Sequence, residues 1–222
     1  MFDWIPLKNY EHVYYLVLAY FLIAVLTFSI KYAALPNKKV YYYSAKVISN
    51  ILLIFSIFYI GLRPISGQFI DMTTHAGFFD YLRLSLSFPS DLTDDWLFWY
   101  YMYSISRLFE AKTFFFITAF FYILPMYWVS KYNFKKLWFF CFFSFITAFS
   151  FFTYGVNGVR NGLATSIFLL VFSTNKKLFQ GLWLLIAYFI HGSMLIPIAA
   201  FVLSSFYRNT SRLLAFWFTC FS

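Results

Sequence analysis

Val13-Tyr-Tyr-Leu-Val-Leu-Ala-Tyr-Phe-Leu-Ile-Ala-Val-Leu-Thr-Phe-Ser-Ile30 runs for eighteen residues without a charge. At about 1.5 Å of helical rise per residue it reaches about 27 Å, close to the roughly 30 Å hydrocarbon core of a bilayer. Only Lys8 precedes it, no small-residue cleavage site is evident, and the lysines follow it. That pattern describes an uncleaved first span rather than a signal peptide.

The rest of the chain has the same character. Of the 222 residues 62% are hydrophobic, 27% aromatic and 11% charged, and mean hydropathy is +0.71. A soluble domain carries about 25% charged residues, so the composition is that of an integral membrane protein. The net charge of +9 would suggest nucleic acid in a soluble chain. Here the basic residues occupy short loops between apolar runs, where they set topology, so nucleic acid is not an expected partner. Cys141 and Cys220 lie inside apolar runs without metal-ligand spacing, and no phosphate loop, dinucleotide fingerprint or zinc signature occurs. No metal and no cofactor are expected.

Further apolar runs predict spans over 47–62, 113–129, 137–154, 159–172, 178–190 and 193–206, and an apolar tail over 213–222 begins one more. Between the second and third lies a polar stretch with Asp71, Asp80, Asp91, Asp94 and Asp95, expected to be a loop with short interfacial pieces. The aromatic run 96–108 is too short to cross and reads as a re-entrant or interfacial helix. The fold class is all-α: a polytopic membrane protein of about seven to eight transmembrane helices with a long external loop at about 63–112. The chain reads as a single integral-membrane domain over 1–222. Because the tail stops in mid-span, it also reads as the N-terminal part of a longer protein.

Charge orients this arrangement. Placing the loops 31–46, 131–136, 173–177 and 207–212 in the cytoplasm gathers eleven of the seventeen basic residues there, as positive-inside topology requires. The run from Lys177 to Arg208 is too long for one crossing and too short for two full ones. A break at His191-Gly192 returns both basic ends to the cytoplasm and leaves His191 at the external end of a hairpin. By the same parity Arg160, after the Asn157-Gly158 turn, faces outward too. An arginine at a span centre costs about 2.5–3.5 kcal/mol, so ionisable residues at such depth are functional candidates.

Three stretches then stand together: Gly61-Leu-Arg-Pro-Ile-Ser-Gly67 with Asp71, Val159-Arg-Asn-Gly-Leu-Ala164, and Ile190-His-Gly-Ser-Met194. They resemble the EpsG family of Wzy-type bacterial polysaccharide polymerases. The family's Gly-x-Asp after the loop arginine is replaced here by Ser66-Gly67-Gln68, with Asp71 later. The resemblance implies a glycosyltransferase of the bacterial cytoplasmic membrane, acting on its external face without nucleotide sugars. It would join repeat units carried on undecaprenyl diphosphate into surface polysaccharide. The implied partners are that lipid-linked oligosaccharide and membrane lipids, and a chain-length regulator protein is a candidate partner. Arg160, His191 and Asp71 are the implied catalytic residues, with Arg63, Asn157 and Ser193 binding substrate.

The chemistry suits these residue types. An arginine fork recognises phosphate oxygens bidentately and can stabilise a departing diphosphate. Arg160 is the first choice for that role and Arg63 the second. A histidine titrates near neutral pH and can take the proton of an acceptor hydroxyl, with Asp71 as the alternative base. Asp94-Asp95 resembles the early external acidic pair of other multi-span lipid-phosphosugar glycosyltransferases, but its place before Trp96 is explained better by a helix N-terminus. Two readings from other classes remain: a transporter or flippase for a lipid-linked or anionic substrate, and a non-catalytic membrane subunit. Gly162 beside Ala164 can serve close helix packing alone.

Overall fold

The computed structural model describes residues 4–33, 38–89 and 92–206. Every regular element among them is helical. In chain order these are α1 (Tyr10–Ala33), α2 (Lys38–Gly61), α3 (Ile70–Leu84), α4 (Trp96–Ser106), α5 (Ala111–Phe134), α6 (Trp138–Thr147), α7 (Phe149–Val156), α8 (Val159–Leu169), α9 (Lys177–Ile190) and α10 (Leu195–Phe206). The expected tail over 213–222 and Asp91 lie outside the described residues, as does the expected loop over 207–212.

Helix α5 is the hub, packing against α2, α3, α4, α6 and α8. Its buried face runs from Phe115 through Ala119, Ile123 and Met126 to Val129, the three-to-four-residue spacing of one helical side. Pro125 interrupts its hydrogen-bond ladder. Three residues earlier the Tyr122 carbonyl accepts from the Ser166 hydroxyl of α8. Polar cross-links of this kind hold helices together where lipid removes the hydrophobic drive. Between α1 and α2 the Tyr10 hydroxyl donates to the Tyr59 carbonyl at 2.8 Å, and the Tyr59 hydroxyl returns a bond to the Tyr10 carbonyl at 2.7 Å.

Length and composition confirm only part of the expected seven to eight crossings among the described residues. Two helices among the described residues are long and apolar enough to span a bilayer, over 7–27 and 111–134, and a bent pair makes a third if it is counted as one span. The expected spans over 159–172, 178–190 and 193–206 are apolar helices of ten to seventeen residues. Such helices cover only about 15–25 Å. Apolar composition marks these segments as lipid-compatible, but length decides whether one crosses.

The expected span 137–154 is broken: α6 and α7 meet at Ala148 with a bend of 61°. No proline or glycine forces it, so periodicity gives no sign of it. The break is supported from outside, because the Tyr14 hydroxyl of α1 donates to the Ile146 carbonyl at 2.8 Å and the Tyr122 hydroxyl of α5 donates to the Phe151 carbonyl at 2.9 Å. Carbonyls freed from a ladder at membrane depth need such partners.

The polar stretch is also more ordered than expected. Its fifteen-residue helix α3 buries Met72, His75, Phe79 and Leu82, spaced for one face, and packs on α4 and α5. The short aromatic helix expected over 96–108 is present as α4. The break expected at His191-Gly192 is present as well: α9 stops at Ile190, and a single 3-10 turn over Gly192–Met194 leads into α10.

Candidate active site

Three helix ends converge on one carboxylate. Asp95 immediately precedes α4, Arg160 is the second residue of α8, and His191 follows the last residue of α9. The Asp95 Oδ2 accepts from Arg160 Nη1 at 2.9 Å and lies 2.8 Å from His191 Nδ1. The backbone N–H of Gly192 donates to Asp95 Oδ1 at 2.9 Å. The Asp95 side chain is only 11% exposed, against 35% for Arg160 and 26% for His191.

Asp95 stands at the N-terminus of α4 as expected, but its side chain does not cap that helix. Its backbone lies in the left-handed region at φ 54°. Aspartate tolerates that region better than most residues, and strained conformations concentrate at functional sites. The chain here gives up a helix cap and turns the carboxylate across to α8 and α9.

The arginine is held from a second direction. Its guanidinium carbon sits 5.3 Å from the centre of the Trp99 ring, an arrangement that favours the cation. His75 packs against the same Trp99 at 5.9 Å and against Phe98 at 5.3 Å. Burial, with the charges of Arg160 and Arg63 adding to it, pushes His75 from 6.5 down to about 4. It is therefore neutral near pH 7, and its Nδ1 is buried without a partner.

A stability effect follows with a definite sign. Between about pH 6.5 and 4 the unfolded chain binds the His75 proton and the folded chain does not. Stability is full above that window and falls as the pH drops through it, by at most roughly 1.4 kcal/mol per pH unit. Thermal unfolding in detergent at pH 7 and pH 5 is expected to show a larger loss for the wild type than for His75→Phe. Equal losses would place the acid sensitivity elsewhere.

Arg63 is placed differently from Arg160. It is 3% exposed, donates to the Ile60 carbonyl and to the Val156 carbonyl at 3.3 Å, and lies 5.5 Å from the Phe115 ring centre. Ile60 and Val156 stand in the last turns of α2 and α7, so one cation covers the negative ends of two helix dipoles. Burial lowers it to about 10, which leaves it charged at neutral pH. Its position fixes the elbow after α7 from which Arg160 emerges.

The remaining expected residues separate. Ser193 joins Asp95 and His191 in lining a cavity of about 400 Å³. Asn157 is exposed at the end of α7. Asp71 stands partly buried in the first turn of α3, and the carboxylate bonded to both Arg160 and His191 is Asp95 instead. Among the described residues no cluster of three or more His, Cys, Asp or Glu could hold a metal ion.

Residues 46–222 match the EpsG family, a Wzy-like polysaccharide polymerase family. The chain belongs to the EpsG family. No curated protein and no solved structure matches it. The matched region contains Arg63, Asp95, Arg160 and His191, and so all three helix ends of the site. Membership together with the apolar helices makes this EpsG chain a membrane protein of polysaccharide biosynthesis. Sequence reading had singled out Asp94-Asp95 but favoured a helix cap for it. What would have selected Asp95 is its left-handed backbone and its pairing across 65 and 96 residues of chain, neither of which local pattern records.

Proposed function

We propose that this protein polymerises undecaprenyl-diphosphate-linked oligosaccharide repeat units into surface polysaccharide, working without nucleotide sugars on the external face of the bacterial cytoplasmic membrane. The observation that carries the reading is the joint pairing of Arg160 and His191 on the partly buried Asp95. The external orientation rests on the distribution of basic loops.

An ionised carboxylate only accepts hydrogen bonds, so the proton between Asp95 and His191 sits on Nδ1. That tautomer leaves Nε2 with its lone pair, able to take the proton of an acceptor hydroxyl. The hydroxyl oxygen bonds to the anomeric carbon of the donor sugar. The bond from that carbon to the lipid diphosphate breaks with its electron pair, and the diphosphate leaves. Asp95 occupies one terminal nitrogen of Arg160, and the other N–H groups of the fork suit the diphosphate oxygens. Asp95 thus couples the two ends of the reaction, orienting the base and holding the cation. Attack from the side opposite the leaving diphosphate inverts the anomeric centre.

Gel ladders of surface polysaccharide from cells lacking the gene, with the wild type or a variant restored, test this. Arg160→Ala and His191→Ala are each expected to lower long-chain material at least 10²-fold while leaving a single-repeat band and normal membrane levels of the protein. Normal chain lengths from both would refute the role. Loss of every band in the deletion strain would point to export of the unit instead, the transporter reading.

A further inference from the structure

Asp95 borders two environments of different charge. Arg160, over Trp99, is not part of the lining of the 400 Å³ cavity, whereas His191, Asp94 and Asp95 are. The lining contains no lysine or arginine among the described residues. The opposite character is supplied by aromatics. Trp96 and Phe189 stand 5.5 Å apart between ring centres at 55°, and Tyr188 continues the surface 5.4 Å from Phe189 at 59°. Trp96 is 41% and Tyr188 40% exposed, so broad ring surface is available.

The volume falls within the range of small-molecule sites, about 300–1,000 Å³. Carboxylates accept bonds from neighbouring hydroxyls, and aromatic faces offer an amphipathic surface to a ring whose C–H groups point one way and hydroxyls the other. A ligand carboxylate, by contrast, would be held beside the carboxylate of Asp94, while the charge of Arg160 is already taken by Asp95. Like charges so close disfavour ionisation of both, and His191 is already committed to Asp95 through Nδ1.

We propose that this cavity is the acceptor subsite, and that it takes a sugar ring without negative charge, neutral or amino, and rejects uronic acids. The inference rests on the polymerase reading above. It assigns the base and the acceptor to the cavity, and the leaving diphosphate to the arginine outside its lining.

The lipid-linked repeat unit accumulated by a strain lacking the gene gives a direct test. Mass spectrometry and NMR are expected to find a neutral or amino sugar at its non-reducing end, the residue that accepts the growing chain. A uronic acid or an acidic substituent there overturns the proposal. The free oligosaccharide released from that unit, which has no diphosphate, is then used to inhibit polymerisation in membranes containing the wild-type protein. Inhibition is expected, and its constant rises at least tenfold in Trp96→Ala but stays within twofold in Trp128→Ala, a control on the exposed side of α5. No inhibition of the wild type, or an unchanged constant in Trp96→Ala, overturns the subsite. A deletion that leaves the polysaccharide ladder intact would instead refute the polymerase reading, so the two failures are distinguishable.

Discussion

Asp95→Asn is expected to lower polymer formation by about 10²–10⁴-fold, with the protein still folded and present in the membrane. The exchange keeps the volume and leaves one oxygen able to accept from the Gly192 N–H, so the local backbone can survive. It removes the charge facing Arg160 and His191, each within 2.9 Å of Oδ2. An amide nitrogen pointed at His191 donates rather than accepts, and the ring then favours the tautomer with its proton on Nε2. That nitrogen is the one required as a base. Tautomer inversion of this kind costs hydrolases of the Ser-His-Asp type about 10⁴-fold in kcat. The same exchange at Asp71 is expected to change chain length little, because Asp71 is bonded to neither Arg160 nor His191. Polymer ladders from the two variants, normalised to protein in the membrane, check the pair. Full activity from Asp95→Asn would remove the carboxylate from the mechanism and leave the ion pair as a structural tie.

Gly162→Ala is expected to destabilise the protein by about 1–3 kcal/mol, the usual cost of overpacking, and to abolish activity with it. A Cβ at this position would lie 2.7 Å from the carbonyl oxygen of Tyr154 and 3.1 Å from its carbon. Both are backbone atoms of α7 and cannot rotate away. Relief requires α8 to move off α7, and Arg160 sits two residues earlier on α8. In an open helix the same change would stabilise by up to about 1 kcal/mol, because alanine is the better helix former. Gly181, in α9, provides that contrast: nothing lies within 4 Å of its added Cβ. Melting temperatures in detergent are expected to fall for Gly162→Ala and to hold or rise for Gly181→Ala. A tolerated Gly162→Ala would mean that the close approach of α7 and α8 is not needed.

This glycine shows how far local sequence reading extends. Its small size before Ala164 was legible as a device for close packing, and the structure supplies the neighbour it approaches. Arg160 and His191 were legible in the same way, as rare ionisable residues at the ends of apolar runs. The break at His191-Gly192 followed from length, since the basic ends of that segment had to return to one side. Asp95 was visible only as a member of an acidic pair. Its helix-cap explanation was the better local one and lost because a partly buried carboxylate gains more from a cation, an imidazole and an N–H than from capping one short helix.

Arg63 marks the other boundary. As a loop arginine before a proline it resembled a phosphate ligand, yet it is buried against two helix C-termini and Phe115. The tyrosines at the α6–α7 bend are similar cases. Tyr14 and Tyr122 look like ordinary apolar residues of their own helices, while their hydroxyls hold carbonyls 132 and 29 residues away.

By itself the sequence determined the membrane class, the all-helical fold, the family and two of the three residues joined at the site. Each of these depends on composition, on a periodicity of a few residues or on a short run of specific types. Only the tertiary structure decided which carboxylate pairs with them, which helices are long enough to span, and where α6 gives way to α7. Those outcomes turn on a left-handed backbone, on helix length against bilayer thickness and on hydrogen bonds between distant segments. They come into being when α4, α8 and α9 meet, and no local pattern encodes that meeting.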